Sequence, residues 1–433
     1  MIALVVFFVL VAVEVIFFII GHRSVVSVRR SQRLAWLLLG VVFLVAMLSP
    51  LLDWRPTWYG LALLLSVQSV YSLVVLLGKG KDAQAMPKRR KVGMVVLRIL
   101  LYAVLVAPLF LFPGAKGTPV TGQYAVGTVS YTWTDMSRDE TFTDEADHRM
   151  VTVQFWYPEE VEGSFPLVVF SHGAFGYRMS NHSTFMELAS SGYVVCSIDH
   201  PYHSFMTKQV DGSRVMVDME FLQTAMAVEN GHIEGPRLNE LEQSWMALRT
   251  ADMNFVLDTI LEKVHAEQTA GVFTRIADDS IGVMGHSMGG ATAAAIGRER
   301  NEVGAVVVLD GTMMGETIGY ADGVAQFEPR AYPKTILNVF NEDHAIQAKA
   351  LGDAYANTYM HNRSDISHQV VVMGSGHLNF TDLSLVSPVL ANLLGTGSVD
   401  AEYCMRTTNS LVLEFFDQTL KGKGKAVARE RTF

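Results

Sequence analysis

The stretch Gly285-His286-Ser287-Met288-Gly289-Gly290 constrains this chain more than any other. An apolar run, Ser280-Ile281-Gly282-Val283-Met284, precedes it and reads as a short buried strand. Small residues follow, Ala291-Thr292-Ala293-Ala294-Ala295-Ile296, and read as a closely packed helix. Strand, Gly-x-Ser-x-Gly and helix, in that order, describe a sharp turn that lifts a serine hydroxyl above the carboxyl end of a sheet. A side chain at Gly285 or Gly289 would collide with a neighbouring strand or helix in such a turn. Ser287 is therefore the candidate nucleophile, and the first amides of the helix face the place where negative charge would develop. An ordinary Gly-rich turn with a surface serine is the bland alternative, and the flanking elements argue against it.

Composition separates two parts. Half of the 433 residues are hydrophobic and the mean hydropathy is +0.25, too apolar for an ordinary soluble enzyme. Residues 1–113 carry 12 Lys and Arg against three acids, Glu14, Asp53 and Asp82. Residues 114–433 carry 22 basic and 40 acidic residues. Four apolar runs, 1–20, 34–52, 58–77 and 93–112, reach the roughly 20 residues a membrane span needs. The first lacks the basic start and small-residue cleavage site of a signal peptide. Glu14 and Arg98 fall inside the runs, which calls for pairing within the bundle, snorkelling or a functional role. Arg23, Arg29, Arg30 and Arg33 sit in one loop, and Lys79, Lys81, Lys88, Arg89, Arg90 and Lys91 in another. The positive-inside rule puts both loops in the cytoplasm, and hence everything after Phe112 on the other side. The expected organisation is a four-helix transmembrane region over 1–113, a breaker-rich linker over 114–123, a domain over 124–420 and a basic, disordered tail over 421–433.

Within the large domain, residues 124–133 and 150–156 alternate like antiparallel strands. Residues 166–170 are a continuous apolar run, the pattern of a strand buried on both faces, 193–198 read as another buried strand, and 303–309, 335–340 and 368–373 read as further strands. Helical stretches alternate with them, which predicts a mostly parallel, doubly wound α/β sheet. Residues 204–236 are rich in methionine and polar residues and read as an irregular cap over the site. No basic, aromatic-laced face suggests nucleic acid. Cys196 and Cys404 have no metal-ligand spacing; Cys196 reads as a buried thiol, and a disulfide between the two stays open. Nothing in the chain calls for a metal or cofactor.

A serine nucleophile needs a base, a group that orients the base, and an oxyanion hole. His344, His361, His368 and His377 lie downstream. His377 follows an apolar strand in the loop Gly374-Ser375-Gly376-His377-Leu378-Asn379-Phe380, so it is the expected base. Asp310 ends the strand after the elbow helix and Asp343 ends the next, and either fits the orienting acid or a turn or helix cap. Met288 and Ala174, the latter in Ser171-His172-Gly173-Ala174, are the expected amide donors of the oxyanion hole. His172 reads as a loop-holding residue.

From about Pro166 to Leu385 the chain resembles the platelet-activating factor acetylhydrolase group of α/β-hydrolases. The likeness rests on Leu167-Val168-Val169-Phe170-Ser171-His172-Gly173, the elbow through Thr292, Val307-Val308-Leu309-Asp310, and Gly374 through Asp382. It implies an α/β-hydrolase fold preceded by the four spans. It also implies a Ser287–His377–Asp310 triad, with Asp310 preferred to Asp343, acting on short-acyl or phospholipid-type esters without a metal. The four spans and residues 204–236 lie outside the likeness. The elbow also resembles that of bacterial cutinases and polyester hydrolases, which carry the acid at the Asp343 position. The expectation is a multi-pass membrane-anchored serine esterase with its catalytic domain outside the cytoplasm and a small ester or lipid as substrate. A non-catalytic membrane sensor is the competing class, against which the intact Ser, His and acid set argues. Few polar residues within the spans make a transporter a poor fit. Oligomeric state, acyl length and head group have no signature in the chain.

Overall fold

The computed structural model describes residues 2–20, 25–49, 55–78, 87–114, 117–321, 324–425 and 427–433. The chain divides into two compact units, residues 1–115 with 386–390, and residues 116–385 with 391–433.

The first unit holds α1 (Ile2–Ile20), α2 (Val25–Met47), α3 (Tyr59–Leu77) and α4 (Lys88–Leu111). Each is long and apolar enough to cross a membrane. The second and fourth begin earlier than their apolar cores. Arg30 and Arg33, expected in a loop, lie in the first turns of α2, and Lys88, Arg89 and Arg90 open α4. Arg23, Asp53, Trp54 and the basic residues Lys79 and Lys81 lie outside the described residues. Glu14, 2% exposed, is paired within the bundle. Arg98 Nη1 reaches its two oxygens at 3.0 and 3.1 Å, and the Tyr102 hydroxyl donates to it at 2.9 Å. A carboxylate among apolar helices is tolerable only when so satisfied.

The second unit is built on β1 (Val126–Asp139), β2 (His148–Pro158), β3 (Phe165–Ser171), α5 (His182–Ser190) and β4 (Val194–Asp199). Residues expected to be irregular then form a hairpin, β5 (Met206–Lys208) and β6 (Arg214–Met216), and a helix, α6 (Met219–Glu229). Next come α7 (Gly235–Val264), β7 (Ile276–His286), α8 (Met288–Glu299), β8 (Val303–Leu309) and a second hairpin, β9 (Thr317–Ala321) with β10 (Val324–Phe327). The chain continues through β11 (Thr335–Asn341), α9 (Glu342–Leu351), α10 (Ala356–Asn362) and β12 (Ser367–Val372). It closes with α11 (Leu383–Val386), α12 (Pro388–Leu394), α13 (Ala401–Lys421) and β13 (Glu430–Thr432).

The main sheet runs β1-β2-β4-β3-β7-β8-β11-β12-β13. β2 pairs antiparallel with β1 and β4; from β4 onward every pairing is parallel. Parallel strands need both faces covered, and the residues alternate accordingly. Leu167 and Val169 of β3 join one apolar cluster with α7 and α8; Val168 and Phe170 join the other with α5 and α13. This is the α/β-hydrolase fold. One expectation needs correction. The tail after Lys421 is not disordered throughout: Val427 is buried and Glu430–Thr432 pairs with β12 as the edge strand. Cys196 and Cys404 are both free and buried; they belong to clusters on opposite faces of the sheet, which rules out a bond between them.

Candidate active site

The turn between β7 and α8 holds Ser287 at φ 55°, ψ −126°, a conformation few non-glycine residues adopt. Close packing makes the strain necessary. A Cβ on Gly285 would run into the backbone of Gly289 and Gly290, and one on Gly289 into the carbonyls of Ser171 and His172. The first turn of α8 thus lies directly on the loop that leaves β3. That loop touches the elbow again at Gly173, where a Cβ would stand 3.1 Å from the Cβ of Ser287.

His377 follows β12 and comes to the same edge of the sheet. Its ring packs on that of His286 with centroids 4.6 Å apart, and His286 Nε2 donates to the His377 carbonyl at 3.0 Å. Burial, then the neighbouring His377, pushes His286 down to about 3, so it stays a neutral donor. His377 Nδ1 donates to Oδ2 of Asp310 at 2.6 Å, which leaves Nε2 with a free lone pair. Burial lowers the His377 pKa, but the ring keeps 43% of its exposure, and the hydrogen bond and charge of Asp310 with the charge of Glu229 outweigh it. The net effect lies above the ordinary 6.5. Among the described residues, Ser287 Oγ makes no hydrogen bond, and no bond yet joins it to His377; such contacts often close only with substrate in place.

Asp310 also has a left-handed backbone, φ 51°, anchored by its N–H to the Val339 carbonyl at 2.7 Å. Burial opposes its charge, yet donors from His344 and His377 hold its carboxyl well below the usual range. Asn341 adds its backbone N–H at 2.8 Å and its side-chain amide at 2.6 Å. His344 donates through Nδ1 to Oδ1 at 2.9 Å, while its Nε2 meets the Tyr355 hydroxyl. Asp343 is exposed in the first turn of α9, where an acidic residue suits the helix dipole. The structure thus joins His377 to Asp310, sets Ser287 beside His286, whose ring packs on His377, and leaves Asp343 exposed at the start of α9. Sequence reasoning missed Asn341 as a partner of Asp310 and passed over His344. The one legible sign was an Asn341-Glu342-Asp343-His344 helix start, with Asn341 capping the His344 N–H at 2.7 Å.

Among the described residues, neither the N–H of Ala174 nor that of Met288 has a hydrogen-bond partner. Both residues belong to an apolar patch with Val217, Phe221 and Trp245, so the segment expected as a cap packs over the proposed oxyanion side.

A sequence model of the family described as platelet-activating factor acetylhydrolase, isoform II, matches residues 150–428. The platelet-activating factor acetylhydrolase of Bos taurus is 23% identical over 276 residues, 59% of this chain and 57% of that protein. A probable 1-alkyl-2-acetylglycerophosphocholine esterase of Arthroderma benhamiae is 21% identical over 274 residues, 61% of this chain and 63% of that protein. The chain thus spans less than two thirds of the length of these relatives. The structure of a ferulic acid esterase from Streptomyces cinnamoneus superposes with a TM-score of 0.52 at 20% identity, covering 71% of this chain and 94% of that one, a likeness of fold.

Proposed function

Because the chain belongs to the platelet-activating factor acetylhydrolase, isoform II, family, we propose that it hydrolyses carboxylic esters, of short-acyl or phospholipid type, through an acyl-enzyme. His377 Nε2 takes the proton of Ser287 Oγ as the oxygen attacks the ester carbonyl. Asp310 holds the imidazole in the tautomer that can accept it and stabilises the imidazolium. The N–H groups of Ala174 and Met288 receive the oxyanion, and the amide end of α8 adds its dipole. His377 then gives the proton to the leaving alcohol, and water, deprotonated by the same imidazole, releases the acid and restores Ser287. Four apolar helices anchor the enzyme as a multi-pass membrane protein, with the hydrolase unit outside the cytoplasm.

The observation that carries this reading is an Asp310–His377 pair at the sheet edge beside a serine held at positive φ. Ser287→Ala should abolish both hydrolysis of p-nitrophenyl acetate and labelling by a fluorophosphonate. Labelling that persists in the alanine variant would refute it.

A further inference from the structure

Behind the loop Ser171-His172-Gly173-Ala174 lies a buried polar cluster that the reaction does not use directly. Asp252 of α7 is its central anion, and buried Glu140 also pairs with Arg149 at 3.1 Å. Asp252 accepts from Arg149 at 3.1 and 2.8 Å, pairs with Arg138 at 2.9 Å, and receives His200 Nδ1 at 3.0 Å. His200 Nε2 in turn faces Ser171 Oγ at 2.9 Å. With these partners Asp252 is fully committed.

One turn away on α7, Arg249 is fully buried yet pairs with no carboxylate among the described residues. Its Nη1 donates to the His172 carbonyl at 2.6 Å, Nη2 to the Gly173 carbonyl at 3.5 Å, and Nε to His203 Nδ1 at 3.4 Å. Burying a guanidinium on two backbone carbonyls carries a desolvation cost that an apolar side chain would avoid. Burial pulls it down to about 9, so it remains a cation at neutral pH. The histidines around it remain neutral: His172 is pushed well down by burial and then by Arg249, and His203 to about 2 for the same reasons.

Peptide geometry turns this contact into an orientation. In a trans peptide the C=O and the following N–H point in opposite directions. Drawing the Gly173 carbonyl toward α7 turns the Ala174 N–H away from it. His172 Nδ1 donates to the same carbonyl at 2.6 Å and Gly176 N–H at 3.1 Å, so that peptide plane is held from three directions. The His172 carbonyl, held by Arg249 alone among these donors, orients the preceding plane in the same sense. A cation on the carbonyl side also polarises the amide, strengthening its N–H as a donor to an oxyanion.

We propose that Arg249 is the positioning residue of the oxyanion hole, setting and polarising the Gly173–Ala174 peptide so that the Ala174 N–H meets the developing charge. This rests on the esterase reading above. Removing an oxyanion donor outright costs about 10²–10³ in kcat; misaligning one costs less.

The test uses the full chain in detergent, with Arg249→Met and Arg249→Lys, active sites counted by exhaustive fluorophosphonate titration. Per active site, kcat for p-nitrophenyl acetate should fall about 10- to 100-fold in the Met variant with KM within about threefold. Affinity for a trifluoromethyl ketone, which forms a tetrahedral adduct, should fall by the same factor. The Lys variant keeps the charge without the fork and should recover part of both; it is also the variant read if Arg249→Met fails to fold. A purely structural Arg249 would lower the melting temperature and the active fraction while kcat per site and ketone affinity stayed within about twofold, and that result overturns the proposal. Wild-type protein inactive on esters, or active after Ser287→Ala, would instead refute the esterase reading.

Discussion

Asp310 and Asp343 follow neighbouring strands, yet among the described residues only Asp310 meets an imidazole. The carboxylate of Asp310 holds His377 at 2.6 Å, whereas Asp343 is exposed at a helix start. Asp310→Asn removes charge at constant volume and should lower kcat by about three decades or more at nearly unchanged KM. Asp343→Asn should stay within about tenfold. Steady-state kinetics on both variants, each first shown folded by its melting curve, decides; the opposite ranking would return the acid to Asp343. The same contact sets the pH response. The proposed mechanism needs His377 neutral, and its pKa is raised, so the acid limb of kcat/KM should have its midpoint above 6.5. In the residual activity of Asp310→Asn that limb should move to lower pH, since the raising partner is gone. Stability carries the opposite sign. A raised folded pKa stabilises below the unfolded value and fades as pH rises through the folded one, so this contribution is lost where activity is gained.

The β7–α8 elbow depends on absent side chains. Gly289→Ala would drive a methyl into the carbonyls of Ser171 and His172, moving Ser287 and the loop after β3 apart. A displacement near ~1 Å at this distance from the chemistry costs on the order of 10²-fold in rate. Gly304→Ala is the control, because its Cβ would make only an ordinary contact with Leu420 at 3.4 Å. Active-site-normalised kcat should fall in the first and hold in the second; equal activities would show that the elbow tolerates the methyl. The cap elements β5, β6 and α6 escaped the sequence pattern because three-residue strands are too short to show a period of two. For α6 a signal existed: Asp218 caps it, accepting from the Phe221 N–H at 2.7 Å.

Across the whole molecule, charge is divided as hydropathy is. Residues 1–113 carry 12 basic against three acidic residues, and residues 114–433 carry 22 against 40, so the second part is acidic. If the basic clusters face the cytoplasm, protease added to intact cells or spheroplasts should cut within residues 117–433, and a reporter fused after Phe433 that works only in the cytoplasm should be silent. An active cytoplasmic reporter would reverse the orientation.

Some of this was legible in the order of residues alone. The elbow, the buried strands and the apolar spans are local patterns, and Gly285-His286-Ser287-Met288-Gly289 with its flanking runs is readable because period and turn chemistry act over a few neighbours. Residue order carries no distances. Asp310 and His377 are 67 residues apart, and Arg249 lies 77 from the His172 carbonyl it holds. Only the register of β7, β8, β11 and β12 brings Asp310 within hydrogen-bonding reach of Asn341 and His377. The long helix α7 carries Arg249 and Asp252 behind the loop that follows β3, where burial makes every charge depend on its partners. Which aspartate meets His377, the second imidazole on it and the cation behind Gly173 are therefore properties of tertiary packing, because electrostatic partnership is set by proximity in space.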